Sequence, residues 1–332
     1  MENNKYDSIE NYYNIKKVTK LLSSNIVNND WIVMEKIDGS NFSIYYDGNK
    51  ISYATRNKML DKTESFSNYQ YVTAKYKEDI IKLFEFCKEK DKNFDYMIVY
   101  GELFGGYYNH PNVQKIKNMT KIIGRVSYTQ YNDFIYYDIK LIKNNRIINK
   151  WVSYDDILSF KLPNLKCMKV LYRSKLTDFI ELDLDNNIKP KLPLEFDSTI
   201  YKLYNLPKIT NNIAEGYVIK SVNENYCEPF SRAILKIKNE KFLETSKNIY
   251  SNIDISQYTD VINYVTKSRL ISVLSKLSDN DKKNNKIIIQ IFTNDCINDF
   301  IKDKDIKLGK KELNVLKKII IKSCVMMVLK NK

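Results

Sequence analysis

The apolar residues of this 332-residue chain change their period once, near residue 243, and that switch limits what the chain can fold into. Before it, short apolar or alternating runs end at Gly, Asn or Asp, which is the pattern of strands. Trp31 to Met34 is one such run. Phe42, Ile44 and Tyr46, alternating with Ser43 and Tyr45 up to the Asp47-Gly48 turn, form the second arm of a predicted hairpin. Ile51 to Arg56, Tyr96 to Tyr100, Phe134 to Ile139, Ala214 to Lys220 and Ala233 to Lys238 read as further strands, with a turn at Asn144-Asn145. Helices are predicted from an Asp7/Glu10 capping box to about Leu22, over Tyr76 to Lys90, and over Tyr154 to Phe160. Beyond Phe242 the stripes are helical, through Ile262 to Leu277, Ile287 to Phe300 and Leu313 to Leu329. The expected architecture is α+β, with antiparallel sheets and flanking helices over residues 1–243 and an all-α domain over 244–332.

Composition excludes several chemistries. His110 is the only histidine, so Ser-His-Asp triads and paired-histidine metal sites are ruled out. The five cysteines contain no C-x-x-C pair and are odd in number, which predicts reduced thiols in a cytoplasmic protein. No apolar run reaches the length of a membrane span, and the polar start, Met1 to Lys17, has no signal-peptide core. Lys+Arg 54 against Asp+Glu 40 gives a formal +14. That charge favours a polyanionic partner such as nucleic acid, although an AT-rich genome also inflates lysine.

The segment Glu35-Lys36-Ile37-Asp38-Gly39-Ser40-Asn41-Phe42 carries the most chemistry. Lys36 follows an apolar strand at the lip of a turn, where Gly39 can take a positive φ without a Cβ penalty. A lysine is a nucleophile only as the free amine, and burial or neighbouring cations push it that way. Lys236 and Lys238 stand two apart on one strand and so project to one side, an arrangement suited to an anion or to open solvent. Glu102 lies among Gly101, Gly105 and Gly106, and Glu215 precedes Gly216 at the head of an apolar strand. Each carboxylate also reads as a plain strand end, Arg56 as an edge charge and Tyr137 as core packing.

In order along the chain, however, K-x-D-G, G-E-L-F-G, E-G-Y-V-I-K and K-x-K make a specific set. It resembles the covalent nucleotidyltransferase superfamily, and within it the phage RNA ligase 2 family, which includes the RNA-editing ligases. The matching stretches are Tyr6 to Asn11, Glu35 to Phe42, Tyr100 to Gly105, Phe134 to Asp138, Glu215 to Lys220 and Ile237 to Phe242, spanning residues 1 to about 243.

The resemblance implies an ATP-dependent RNA ligase that seals 3′-hydroxyl and 5′-phosphate ends, at nicks in duplex RNA, with magnesium. Lys36 would form a lysyl–AMP, and Lys236 and Lys238 would hold the α-phosphate. Glu102 and Arg56 would sit on the ribose side, and Tyr137 would stack on adenine. Glu215 and Asn41 would organise lysine, metal and water, with Glu35 and Asp38 completing the nucleotide site. The metal ligands are not assigned. The chain is expected to act as a monomer without a membrane. One departure stands out, because the phage member has histidine where this chain has Asp38. The alternatives within the superfamily are a DNA ligase or a capping guanylyltransferase, and beyond them a non-catalytic RNA-binding relative. Against the first two, no R-x-D-K segment lies near the carboxyl end, and the tail reads as helical rather than as an OB fold.

Overall fold

The computed structural model describes residues 2–143, 148–183, 187–223, 226–228, 231–243, 259–306, 308 and 310–331. The expected Asn144-Asn145 turn lies outside the described residues. In chain order, β1 (Glu10–Asn11) precedes helix α1 (Ile15–Leu22), and β2 (Trp31–Glu35), β3 (Ser40–Tyr46) and β4 (Ile51–Thr55) follow. Helices α2 (Tyr69–Ala74) and α3 (Lys77–Lys90) lead into two long strands, β5 (Tyr96–Tyr107) and β6 (Thr129–Lys143). After β7 (Ile148–Trp151) and α4 (Tyr154–Ser159) come β8 (Lys166–Cys167), β9 (Val170–Ser174), β10 (Ile180–Leu182) and β11 (Ile188–Pro190). The strands end with β12 (Gly216–Ser221), β13 (Tyr226–Glu228), β14 (Ser231–Arg232) and β15 (Ile234–Lys238).

Two sheets organise this part. One has the order β1-β15-β12-β2-β9, and the other runs β4-β3-β5-β6-β7 with β8 beside β6. Pairing is antiparallel except for β1 on β15 and β8 on β6. The expected hairpin at Lys36 is therefore corrected. Strand β2 pairs with β12 and β9, whereas β3 pairs with β4 and β5, so residues 36–39 carry the chain from one sheet to the other. Side-chain alternation then sorts the first sheet. Trp31, Val33, Tyr217, Ile219, Leu235 and Ile237 pack with Val18 and Leu21 of α1 on its outer face. Val218 and Ile234 point the other way and join Tyr45, Ile98 and Tyr100 of the second sheet in a shared core.

The Asp7/Glu10 pattern does not start a helix. Glu10 and Asn11 instead extend the first sheet opposite Leu235 and Lys236. The helix begins at Ile15, capped by Asn14, whose side chain accepts from the Lys17 amide at 3.3 Å. The Glu10 carboxylate serves this first turn from outside it, accepting from Asn14 Nδ2 at 3.2 Å and pairing with Lys17 at 2.9 Å.

The chain divides into two units, Met1–Asn239 and Glu240–Lys332. In the second, α5 (Lys267–Leu274), α6 (Asn285–Lys304) and α7 (Lys310–Lys330) enclose their own core around Leu270, Phe292, Phe300, Leu316 and Val328. Its described residues contain no strand, so the tail is helical as the apolar stripes predict. Within it Arg269 is buried and donates to the carboxylates of Asp295 and Asp299, both at 2.7 Å. Among the described residues no helix is long and apolar enough to cross a membrane.

Candidate active site

The crossing between the sheets puts Lys36 at one end of a row. Its backbone N–H donates to the Gly216 carbonyl at 2.8 Å, and Gly216 lies opposite Lys238 on the next strand. Lys36, Gly216 and Lys238 are thus neighbours across β2, β12 and β15, facing the second sheet. The middle position has no side chain, so nothing separates the two amines. Gly216 has φ +146, and a Cβ there would lie 1.9 Å from the Ile237 carbonyl oxygen. The gap is bridged by Glu215. Its Oε2 accepts from Lys36 Nζ at 2.7 Å and its Oε1 meets Lys238 Nζ at 3.1 Å. Burial alone would raise the Glu215 carboxyl, but the two ammonium groups overcome it and hold the group below the usual carboxylate range. The group in contact with Lys36 is therefore a carboxylate, not one of the neighbouring cations that would push a lysine toward the free amine.

Lys236 sits two residues back along β15, opposite Val218 and beside Asn11 of β1, on the same face as Lys238. Glu35 falls on the opposite face, as alternation requires. Its Oε2 accepts from the Thr199 amide at 2.7 Å and from Thr199 Oγ1 at 2.8 Å, and burial raises its carboxyl. The Glu35 carboxylate consequently braces the end of β2 from behind, and Thr199 is a partner that the sequence reading missed.

The second sheet supplies the other wall. Asn41 on β3 lies opposite Glu102 on β5, which lies opposite Ile135 on β6. The β5–β6 register then slips, with Gly101 opposite Tyr136 and Tyr100 opposite Asp138. Tyr137 is the extra residue of that bulge, and bulges re-aim side chains. Its hydroxyl accepts from Asn41 Nδ2 at 2.7 Å, and its ring meets the Tyr6 ring edge-on at 5.1 Å. Asn41 therefore holds Tyr137 in this state. Burial lifts the Glu102 carboxyl to about 8, with Lys36 and Arg56 pulling it down and Glu215 and Asp38 pushing it up. Those groups share one electrostatic neighbourhood. Arg56, half-buried at the end of β4, also reaches Ser8 Oγ at 3.4 Å. Gly39 does not adopt the positive φ expected of it. It is needed for close approach, because a Cβ would lie 2.4 Å from the Leu103 carbonyl oxygen and 2.6 Å from Glu102 Cγ.

Asp38 reveals the residues that the sequence reading did not find. The carboxylate is 3% exposed. It accepts from Arg125 Nε at 2.9 Å and from the neighbouring Arg125 Nη2 in a two-point pair. Burial raises this carboxyl and the guanidinium opposes the rise. The Asp38 amide donates to the Tyr128 hydroxyl at 2.8 Å. Among the described residues no cluster of three or more His, Cys, Asp or Glu is placed to hold a metal ion.

Taken together, the geometry offers a primary amine in contact with one carboxylate that also holds the Lys238 ammonium, with Lys236 on the same strand face and the raised Glu102 carboxyl within its electrostatic reach. This suits attack of the amine on an anionic centre whose negative charge grows as the bond forms.

Comparison with known proteins gives matches along both units. The RNA ligase family matches residues 29–238, and the T4 RNA ligase 2 C-terminal family matches residues 250–325. The mitochondrial RNA-editing ligase 2 of Trypanosoma brucei brucei is 24% identical over 355 residues, covering 91% of this chain and 83% of its own length. The mitochondrial RNA-editing ligase 1 of the same organism is 24% identical over 352 residues, covering 87% and 74%. Among solved structures, an RNA ligase of Naegleria gruberi aligns at 16% identity with a TM-score of 0.46. That alignment covers 73% of this chain, which spans 57% of the Naegleria chain.

Proposed function

The chain belongs to the RNA ligase family, and on that premise we propose that it seals RNA 3′-hydroxyl and 5′-phosphate ends at the expense of ATP. The observation that carries this reading is the Lys36–Glu215–Lys238 bridge at the point where the chain passes between the sheets. Lys36 is the nucleophile. Its amine attacks the α-phosphorus of ATP, a P–N bond forms, and the bond to pyrophosphate breaks. The ammonium must first lose a proton, and Glu215 Oε2 at 2.7 Å is an acceptor within direct reach. Lys236 and Lys238 offset the charge that grows on the α-phosphate. Tyr137 stacks on adenine, Asn41 holds that ring through its hydroxyl, and Glu102 and Arg56 meet the ribose. Glu35, bonded to Thr199 on the outer face of the first sheet, and Asp38, gripped by Arg125, hold the Lys36 segment from behind rather than line the nucleotide site.

Magnesium enters this scheme with the nucleotide. Glu215 is engaged by Lys36 and Lys238 and Asp38 by Arg125, so magnesium would be held chiefly by the nucleotide's own phosphates. When bound, it would supply positive charge that offsets the pyrophosphate leaving group. AMP then passes from Lys36 to the RNA 5′-phosphate, and the adjacent 3′-hydroxyl displaces AMP to close the strand. Residues 1–243 are the adenylyltransferase domain in this reading. Residues 244–332 engage the nick, a role supported by the lysines along the tail and by its family match. The preferred substrate is a nicked RNA duplex, the protein acts as a monomer without a membrane, and the free thiols of Cys87, Cys167, Cys296 and Cys324 support a reducing compartment, the cytoplasm.

Incubation with α-labelled ATP and magnesium, followed by denaturing electrophoresis, tests the first step. Wild type is expected to take covalent label and Lys36→Ala none; equal labelling, or an unlabelled wild type, ends the proposal. Sealing assays on nicked duplexes whose 3′-hydroxyl strand is RNA or DNA then test the substrate. RNA is expected to be preferred because its 2′-hydroxyl enforces A-form geometry at the nick.

A further inference from the structure

We propose that Arg125 is a positioning residue for nucleotidyl transfer, its guanidinium fork on Asp38 holding the Lys36 segment in attacking position. This rests on Lys36 being the nucleophile. Asp38 stands two residues after Lys36 in the short passage between the sheets, and its carboxylate is almost wholly buried. A buried carboxylate needs a partner, and a partner that grips both oxygens fixes orientation as well as charge. Arg125 supplies that grip from the loop between β5 and β6, with 19% of its own side chain exposed.

The same loop holds more than one side chain. Tyr128 takes the Asp38 amide at 2.8 Å. Between them, Ser127 donates its amide to Asn212 Oδ1 at 2.9 Å, and Asn212 Nδ2 donates to the Ser127 carbonyl at 2.7 Å. Asn212 lies three residues before Glu215, the carboxylate that Lys36 touches. Residues 125–128 thus clasp the two segments on which the nucleophile and its carboxylate are carried. The positive charge of Arg125 also acts on Glu215, helping to hold it ionised. Arginine is the residue type for this task, because a lysine ammonium makes a point contact where the guanidinium makes two parallel ones.

Single-turnover transfer of label from α-labelled ATP to Lys36, followed over a range of ATP concentrations, separates positioning from binding. Arg125→Ala is expected to lower the maximal rate roughly 10- to 100-fold, since small misplacement of a reacting group has effects of that size. The ATP concentration for half-maximal rate is expected to change by less than about threefold, as for an interaction used in the transition state. Arg125→Lys, which keeps the charge and loses the fork, should recover only part of the rate. Adding Asp38→Asn to Arg125→Ala should slow the reaction no further, because the pair is already broken. A wild-type maximal rate in Arg125→Ala, a loss seen wholly in ATP half-saturation, or effects of the two substitutions that multiply would overturn the inference. Thermal unfolding reports whether the alanine variant folds, and if it does not, a wild-type rate in Arg125→Lys overturns the inference equally. An unlabelled wild type instead refutes the nucleophile on which the inference depends.

Discussion

Glu215 has two jobs at the scale of single residues. It neutralises the ammonium groups of Lys36 and Lys238, and in the proposed reaction an arriving phosphate would compete with it for both. Glu102 faces the same groups with its carboxyl lifted from 4.5 to about 8, chiefly by burial. The folded state therefore binds a proton there more tightly than the unfolded chain does. The stability this contributes is complete below the ordinary carboxylate value and is lost as pH rises through about 8. The melting temperature of wild type relative to Glu102→Gln should accordingly fall between about pH 5 and pH 8. Parallel melting curves for the two proteins across that range would refute the buried, protonated carboxyl. The grouping of Lys36 with Lys238, Glu215 and Glu102 was legible because each sits beside a glycine turn or at alternating positions in an apolar run. Arg125 was not, since its partner lies 87 residues away. A signal was nevertheless present in composition. Arginine is scarce in this lysine-rich chain, and Arg125, Arg173, Arg232 and Arg269 each meet one or two aspartates. Scarce arginine marks places where a planar fork matters.

Individual elements were easier to find than their partners. The runs at 31–34, 42–46 and 51–56 became strands, yet the first joined a different sheet from the other two. Period-two alternation tells which side chains share a face but not which strand lies alongside. Strand β2 is paired by β12, far along the chain, and that pairing turned an expected hairpin into a passage between sheets. The Asp7/Glu10 pattern failed for a related reason, because a short strand beside β15 claimed its residues before the helix could start. Gly216 shows how tightly the resulting row is built. Replacing it with alanine would drive a Cβ to 1.9 Å from the Ile237 carbonyl at φ +146, so β12 and β15 would have to part. Gly216→Ala is expected to lower unfolding free energy by more than about 3 kcal/mol, readable as a shift in the denaturant midpoint. An unchanged midpoint would mean that the strands can separate at this point without loss.

For the whole molecule, the change of hydrophobic period foretold a strand-rich part followed by helices, and the second unit has a core of its own. The formal charge of +14 belongs to this scale too. Association with a nicked RNA duplex should weaken roughly 10- to 1,000-fold as salt rises from about 50 to about 200 mM, because phosphate contacts release counterions. Filter binding measures this directly, and affinity that stays flat with salt would remove the electrostatic account of RNA binding. A last consequence follows from how the two sheets are joined. Strand β2 ends at Glu35 and β3 begins at Ser40, and even fully stretched the path between them covers no more than about 18 Å. That segment is a gauge whose length is set by the gap it spans. Beyond the side chains it needs at Lys36, Asp38 and Gly39, its length matters in itself: an added residue would let the amine slide out of alignment and a missing one would drag the sheets together.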